Sequence, residues 1–289
     1  SLTHVYNKGQ WPNAKLNKIT YTVAGNMNYK GFDLEAGITY NKRFSPQGTG
    51  TGYGGLGYIY NLLVWTGPEW DIRDYKNYWR VKDQEQNWFN DIYYNNPYYI
   101  ANEIIASSDF DKVNGFLTGS YDIKPWLKAT LRSGLDMYST RKEWRNPIGA
   151  YGAWDKKGYY ELQTPNGYSI NTDFMLMAEH QFGDFFFDGF IGGNIYFYQD
   201  NTHTSYTRNG LLVPGFYSLN ASVDTPGTSS SVTKKQTNSL FGKLSVAWKS
   251  TLFMDVTGRN DWSSSLPSDT RSYFYPSVAG SVVLSEFIP

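Results

Sequence analysis

No cysteine occurs in the 289 residues, which excludes a disulfide-stapled secreted domain, thiol chemistry and cysteine-ligated metal sites. No run of eighteen apolar residues occurs either, so the chain does not cross a membrane as helices. Net charge is also missing. Twenty-six basic residues balance 26 acidic ones, a balance that gives no field to draw nucleic acid or an anionic surface. His4, His180 and His203 stand far apart without ligand spacing, which argues against a metal site. Ser1-Leu2-Thr3 carries no initiating Met, basic n-region or apolar h-region, and reads as internal or already processed.

What is abundant is aromatic side chain, at 18% of residues, and period-2 alternation. Ile19, Tyr21, Val23, Met27 and Tyr29 fall on one face of a strand, with Thr20, Thr22, Ala24, Asn26 and Asn28 on the other. After Lys30-Gly31 the chain returns with Leu34, Ala36, Ile38 and Tyr40 against Asp33, Glu35, Thr39 and Asn41, a hairpin with a minimal turn. The unit recurs near 113–123 and 126–138, 170–182 and 185–198, and 237–249 and 251–261, and a ninth strand lies near 273–284. The connections near 45–112, 139–169, 199–236 and 262–272 read as long loops.

Short turns on one side and long loops on the other, with strands of about nine to eleven residues, predict an all-β fold: an antiparallel transmembrane β-barrel segment. A soluble sandwich shares the alternation but uses strands of about five or six residues. The mean hydropathy is negative, as expected where only alternate residues face lipid. The aromatics Tyr29, Tyr40, Tyr121, Trp126, Tyr138, Phe182, Phe185, Trp248 and Phe253 are assigned to interfacial girdles. Nine is an odd count where bacterial single-chain barrels are even, so the expectation is one partial barrel domain over 1–289, part of a larger protein.

On the polar face, Asp33, Glu35, Lys128, Arg132, Asp136, Lys243, Asp255 and Arg259 are expected to line the lumen and pair across strands. No Ser/His/Asp set or close carboxylate pair stands out, so no catalytic residue is assigned. Asp109 and Asp111 lack the glycine and glutamate of a calcium loop. Gly52-Tyr53-Gly54-Gly55-Leu56-Gly57 matches G-x-G-x-x-G, but the preceding strand is antiparallel and no βαβ unit follows; it reads as a flexible glycine-rich loop before a short helix at 58–65. Asn96-Pro97 begins a second short helix as a cap followed by N1 proline should, with Tyr98, Ile100 and Ile104 able to share a face.

The first long loop carries Trp65, Trp70, Trp79, Trp88, Tyr93 and Tyr94 among charged residues. Such rings suit sugar C–H faces while neighbouring polar groups take hydroxyls; against this, long loops need aromatic cores of their own. These six are the candidate substrate-binding residues. The polar, low-complexity stretch 225–233 reads as a mobile loop.

The most specific signal lies near the end: Leu252-Phe253-Met254-Asp255-Val256-Thr257-Gly258-Arg259-Asn260-Asp261-Trp262-Ser263-Ser264-Ser265-Leu266-Pro267, then Ser272-Tyr273-Phe274-Tyr275-Pro276-Ser277-Val278. This resembles the SusC/RagA family of TonB-dependent outer-membrane transporters, with an R-x-D-W-S-S-x-L-P pattern followed by S-Y-F-Y-P-S. Weaker likenesses run through Asn96-Pro97-Tyr98, Phe182-Gly183-Asp184-Phe185 and 212–219. The resemblance implies the middle of a 22-stranded barrel, without its plug domain and remaining strands. It gives Arg259, Asp261, Trp262, Tyr273, Phe274, Tyr275 and Pro276 a structural role.

The resemblance further implies a multi-pass outer-membrane protein of Bacteroidetes type and import of a glycan or oligosaccharide, or alternatively of a peptide. A SusD-like surface lipoprotein would cap the loops, and TonB would act on the absent plug. No cofactor, metal or enzyme activity is implied. Two other classes share some features: a non-transporting adhesive or structural barrel, and a soluble sugar-binding protein or glycosidase, which for hydrolysis would need two convergent carboxylates.

Overall fold

The computed structural model describes residues 1–48, 57–89, 94–151 and 156–286. One antiparallel sheet dominates it. In chain order its strands are β1 (Leu2–Lys8), β2 (Lys15–Tyr29), β3 (Phe32–Ser45), β6 (Ile105–Lys124), β7 (Leu127–Ile148), β8 (Lys157–Gln163), β9 (Asn166–Phe182), β10 (Phe185–Leu211), β11 (Ser222–Trp248), β12 (Leu252–Ser263) and β13 (Ser272–Val282). A small hairpin, β4 (Trp79–Val81) and β5 (Glu85–Gln86), and two helices, α1 (Tyr58–Val64) and α2 (Pro97–Glu103), lie between β3 and β6.

β8 and β9 each pair with β7 on one side and β10 on the other, so they occupy one strand position. Pro165 interrupts it, having no N–H to give the ladder. The gap is bridged by Thr140 N–H to the Pro165 carbonyl and Thr164 N–H to the His203 carbonyl, each 2.8 Å. The sheet thus runs as ten antiparallel neighbours from β1 to β13, with nine of them where the alternation places them and β1 added.

Register fixes the two faces, because a one-residue slip would invert every side chain. Val23 faces Ile38, Met27 faces Leu34, and Tyr29 faces Phe32. The same face continues through Leu117, Leu131, Phe174, Ile191, Leu244, Val256 and Val278. Most of these side chains are exposed, as a lipid-facing belt must be. Eight residues separate Phe32 from Tyr40 on β3 and Tyr21 from Tyr29 on β2, about 27 Å along a strand and about 20 Å once tilted, near the ~25 Å height of a barrel's apolar band. Above Tyr40 the same face turns polar: Lys42 Nζ lies 2.7 Å from Asp109 and 2.9 Å from Asp111. An apolar depression of about 790 Å³ within the belt, where Ala178 faces Gly189 beneath Leu176 and Ile191, opens onto this lipid side.

Three expectations are corrected. The regions 139–169 and 199–236 are mostly strand, since β7 runs to Ile148 and β10 and β11 are each 27 residues long. The stretch 225–233, read as a mobile loop, lies within β11, and 227–233 pair residue by residue with β10. Tyr138 and Phe253 belong to the lumen face by register, not to a girdle: Tyr138 follows Arg132 and Asp136 in parity, and Phe253 precedes Asp255.

The turns explain the short side. Lys30 and Gly31 have φ of 51° and 78°, and Lys249 and Ser250 have φ of 51° and 54°, the left-handed pair that matches strand twist. Glycine is comfortable there and serine is not. Ser250→Gly is therefore expected to raise the unfolding free energy by about 1 kcal/mol, read as a higher urea midpoint at unchanged slope; an unchanged or lower midpoint would contradict the turn assignment.

Candidate functional site

Two surfaces meet above the belt: the lumen face of the wall and a packed assembly of the connections on the long side. The lumen face carries the charges expected of it, joined across strands. Lys128 reaches Asp33 and Asp122 at 3.6 Å each, Lys112 reaches Asp136 at 3.1 Å, and Lys243 reaches Asp255 at 3.3 Å. One row crosses three neighbours, β7, β9 and β10: Arg132 to Asp173 at 3.3 Å, then Asn194 Nδ2 donating to Asp173 and to Asn171 at 2.7 and 2.8 Å. Farther along, Arg259 donates to Asp261 at 2.7 Å and to Ser239 at 2.9 Å, with its guanidinium over the Phe241 ring.

Higher up, a second row begins with Arg43 over Phe110, whose ring stacks on Tyr138. The Tyr138 hydroxyl donates to Asp200, two strands away. Gly167 lies between them in register; a Cβ there would sit 3.0 Å from the Tyr138 ring and 2.9 Å from the Asp200 carboxylate. Arg43, Phe110 and Asp200 were not singled out from sequence. Their signal is the continued alternation of Tyr196, Tyr198, Asp200, Thr202, Thr204 and Tyr206 past the belt.

The loop assembly is organised by buried amides. Asn96 caps α2, its Oδ1 accepting from Tyr98 and Tyr99 N–H at 2.8 and 3.4 Å while its Nδ2 donates to the Tyr75 and Asn87 carbonyls at 2.9 and 2.8 Å. At the other end of α2, Gln47 Nε2 lies within 3.2 Å of the Ile100, Ala101 and Ile104 carbonyls, and its Oε1 accepts from Ala106 N–H at 3.0 Å. Asn95 ties in the β7–β8 connection through Tyr151 N–H and C=O, both at 2.7 Å. Gln86 bridges Asn95, Asn96 and the Gly149 carbonyl, and Asn61 accepts from Asn95 N–H. All five amides are buried, where unpaired polar groups would be costly.

Tyr58, Tyr99, Ile100, Ala101, Ile104 and Ala150 form the apolar core around them. Of the candidate binding residues, Trp88 is buried against Tyr75 and Phe89. Trp79 stands edge-on to Tyr99 at 5.0 Å and donates to Glu103 at 3.2 Å. Trp65 is exposed and stacks on Tyr94 at 4.0 Å, and half-buried Trp70 packs on exposed Phe89 at 4.4 Å. Tyr93 and Gly52 to Leu56 of the glycine-rich motif lie outside the described residues. The structure thus gathers the tryptophans into one assembly, with Trp88 buried, Trp79 half-buried against Tyr99, and the Trp65–Tyr94 and Trp70–Phe89 pairs at its surface.

The family-motif residues build the β12–β13 corner: Asp261 pairs with Tyr273, Pro276 lies opposite Gly258, and the Phe274 ring covers Gly258 with 3.3 Å for a Cβ. Trp262 and Tyr275 extend the register on opposite faces.

Burial, and then the bond it donates to Glu103 at 2.9 Å, push Tyr78 up to about 12. Burial also raises Tyr99 and Tyr217. A raised tyrosine favours the neutral, folded form, so its contribution is complete below the unfolded value near 10 and is lost as pH climbs through about 12. Amides do not titrate. Hydrogen-exchange protection of 94–104 is therefore expected to stay level from pH 5 to 9, after correction for intrinsic exchange, and Trp emission of the assembly to change between pH 10 and 12. A transition near pH 5 would contradict this.

No family model matches the sequence, and no curated protein does. Among solved structures, the RagAB peptide transporter matches with a TM-score of 0.74 at 15% identity, over 95% of this chain and 31% of that one. FpvA of P. aeruginosa, bound to heterologous pyoverdines, matches at 0.56 and 12% identity over 97% and 35%. The siderophore receptor PiuA from Acinetobacter baumannii matches at 0.52 and 11% identity over 97% and 41%. The chain spans about a third of the RagAB chain's length. At such identities the likeness shows the fold alone: an antiparallel β-barrel segment like those of the RagAB transporter and other TonB-dependent receptors.

Proposed function

We propose that the chain is part of the wall and the extracellular capture surface of an outer-membrane TonB-dependent nutrient importer. Its open edges support a larger assembly. β1 and β13 each pair on one side only among the described residues, and unpaired backbone in hydrocarbon costs several kcal/mol per group. Further strands and a plug, supplied outside these 289 residues, would complete the barrel, and TonB would act on that plug. The observation that carries the reading is a lipid-facing belt backed by a charged, hydrogen-bonded lumen face and roofed by an ordered loop assembly, in the fold of the RagAB transporter.

A surface lipoprotein of SusD type would seat on the loops. The ligand is a glycan or oligosaccharide, taken by surface rings such as Trp65–Tyr94 and Trp70–Phe89; this chain does no bond chemistry. A peptide ligand is the second reading, favoured by the likeness to a peptide transporter. The test is purification of the complete membrane complex, peptide mapping of everything that copurifies, and uptake of labelled oligosaccharide and labelled peptide by cells with and without the gene. Gene-dependent uptake of either ligand, with a plug and lipoprotein in the complex, is expected. A complex without plug sequence and no gene-dependent uptake would overturn import.

A further inference from the structure

A cleft of about 430 Å³ lies where the start of β8 meets the end of β10, above the belt, lined by Lys157, Tyr159, Tyr206, Arg208, Asn209 and Asp224. Its size lies within the ~300–1,000 Å³ range of small-molecule sites. The backbone is shaped to make it. Lys156, Gly158, Asn209 and Gly210 all have left-handed φ, from 57° to 103°, and the β10–β11 register shifts between Tyr206 and Arg208 and again before Leu211. Gly210 permits the close approach of the two strands: a Cβ there would sit 2.4 Å from the Lys157 Cβ and 2.6 Å from its carbonyl. Clustered strain and bulges of this kind gather at sites that re-aim side chains.

Tyr159 and Tyr206 present rings 6.5 Å apart at 35°. Tyr206 lies against Gly227, where a Cβ would be 2.4 Å from the ring, and Arg208 lies 5.7 Å from its centroid. Asn209 donates to Asp224 at 2.6 Å across the hairpin, and the Tyr159 hydroxyl donates to Glu161. Lys157 and Arg208 line the cleft with Asp224, and Glu161 stands just beside it on the Tyr159 hydroxyl, so two carboxylates offset the two cations. Two tyrosine faces with a carboxylate, an amide and a guanidinium match a neutral pyranose: its C–H face stacks on a ring while adjacent hydroxyls are bridged by planar polar groups.

We propose that this cleft is a subsite for a neutral pyranose unit of a glycan. By strand parity Tyr206 stands on the lumen side, six residues above Asp200 on β10, about 20 Å along the strand. A sugar held there sits over the Arg43–Phe110–Tyr138 row. The subsite rests on the glycan form of the import reading and names a ligand contact distinct from the first loop.

The test uses the complete transporter in detergent with maltotriose, cellotriose and mannotriose as probes, trigalacturonate and trialanine as controls, and isothermal titration as readout. Saturable binding of at least one neutral trisaccharide is expected, weakened at least tenfold by Tyr206→Leu and by Asp224→Asn, while Ile38→Val on the lipid face leaves it within twofold. Matched hydrogen-exchange protection of 185–211 in the variants excludes unfolding as the cause. Binding unchanged by both substitutions, preference for trigalacturonate or trialanine, or no neutral binding would overturn the subsite. Gene-dependent uptake by cells reports import separately, so a silent cleft in an active importer refutes the subsite alone.

Discussion

Asn96→Ala is expected to open the extracellular loop assembly while leaving the barrel wall intact. The Asn96 side chain makes four hydrogen bonds from a fully buried position, two as the cap of α2 and two to the Tyr75 and Asn87 carbonyls. Losing such a cap costs about 1–2 kcal/mol, and each buried carbonyl left unpaired adds roughly 1 kcal/mol or more. The sum, about 3–5 kcal/mol, exceeds what a seven-residue helix can supply by itself. Hydrogen exchange of 57–89 and 94–104 should therefore accelerate by at least a hundredfold while β2, β3 and β9 keep their protection. Retained protection over 94–104 would mean that apolar packing around Tyr99 and Ile100 holds α2 without its amides.

The second large effect separates neighbouring residues. Ile38 points to lipid, seven residues above the turn, and Thr39 points to the lumen, where it bonds Thr22 at 3.1 Å. Arginine at the bilayer midplane of a barrel's lipid face costs about 2–4 kcal/mol, whereas a lumen position is wet. Ile38 lies between the midplane and the Tyr40 girdle, so Ile38→Arg should lower the unfolding free energy of the complete barrel in liposomes by about 2 kcal/mol, between the midplane cost and the ~0–1 kcal/mol of the interface. Thr39→Arg should stay within about 1 kcal/mol, the worth of the hydroxyl pair it removes. Equal losses at both positions would mean that the two faces do not see different solvents.

The parts of this fold written most plainly in the sequence are those where only one face is apolar. Val23, Met27, Ile38 and Leu34 announce their strands because lipid demands alternation, and Lys30-Gly31 announces its turn because left-handed backbone favours glycine. Above the belt both faces of a strand can be wet and the demand disappears. Thr228-Ser229-Ser230-Ser231 therefore reads as loop, yet each residue pairs with β10. The strand is held by its neighbour, not by its own composition. β1 was missed for a similar reason: Leu2 and Tyr6 alternate with His4 between them on the same face.

The loop assembly was half legible. Asn96-Pro97 declared the start of α2, as observed, but Gln47, Asn61 and Gln86 are polar residues scattered along the chain, and nothing local says that they are buried together. The tryptophans of the first loop illustrate the same limit. Composition cannot tell Trp88, which fills the core, from Trp65, which lies on the surface.

The central claim is that one face of this sheet meets lipid, the other meets water, and the long connections lie outside. The chain has no native cysteine, so single thiols report on it without background from its own residues. The decisive measurement is labelling of Ile38→Cys, Thr39→Cys, Ser230→Cys and Ser250→Cys variants of the complete protein in intact and permeabilised cells. It is paired with quenching of a fluorophore at each site by a lipid-borne nitroxide. The account predicts strong quenching at position 38 and little at 39, impermeant labelling at 230 in intact cells, and labelling at 250 only after permeabilisation. Equal quenching at 38 and 39, or labelling at 250 from outside, would contradict it.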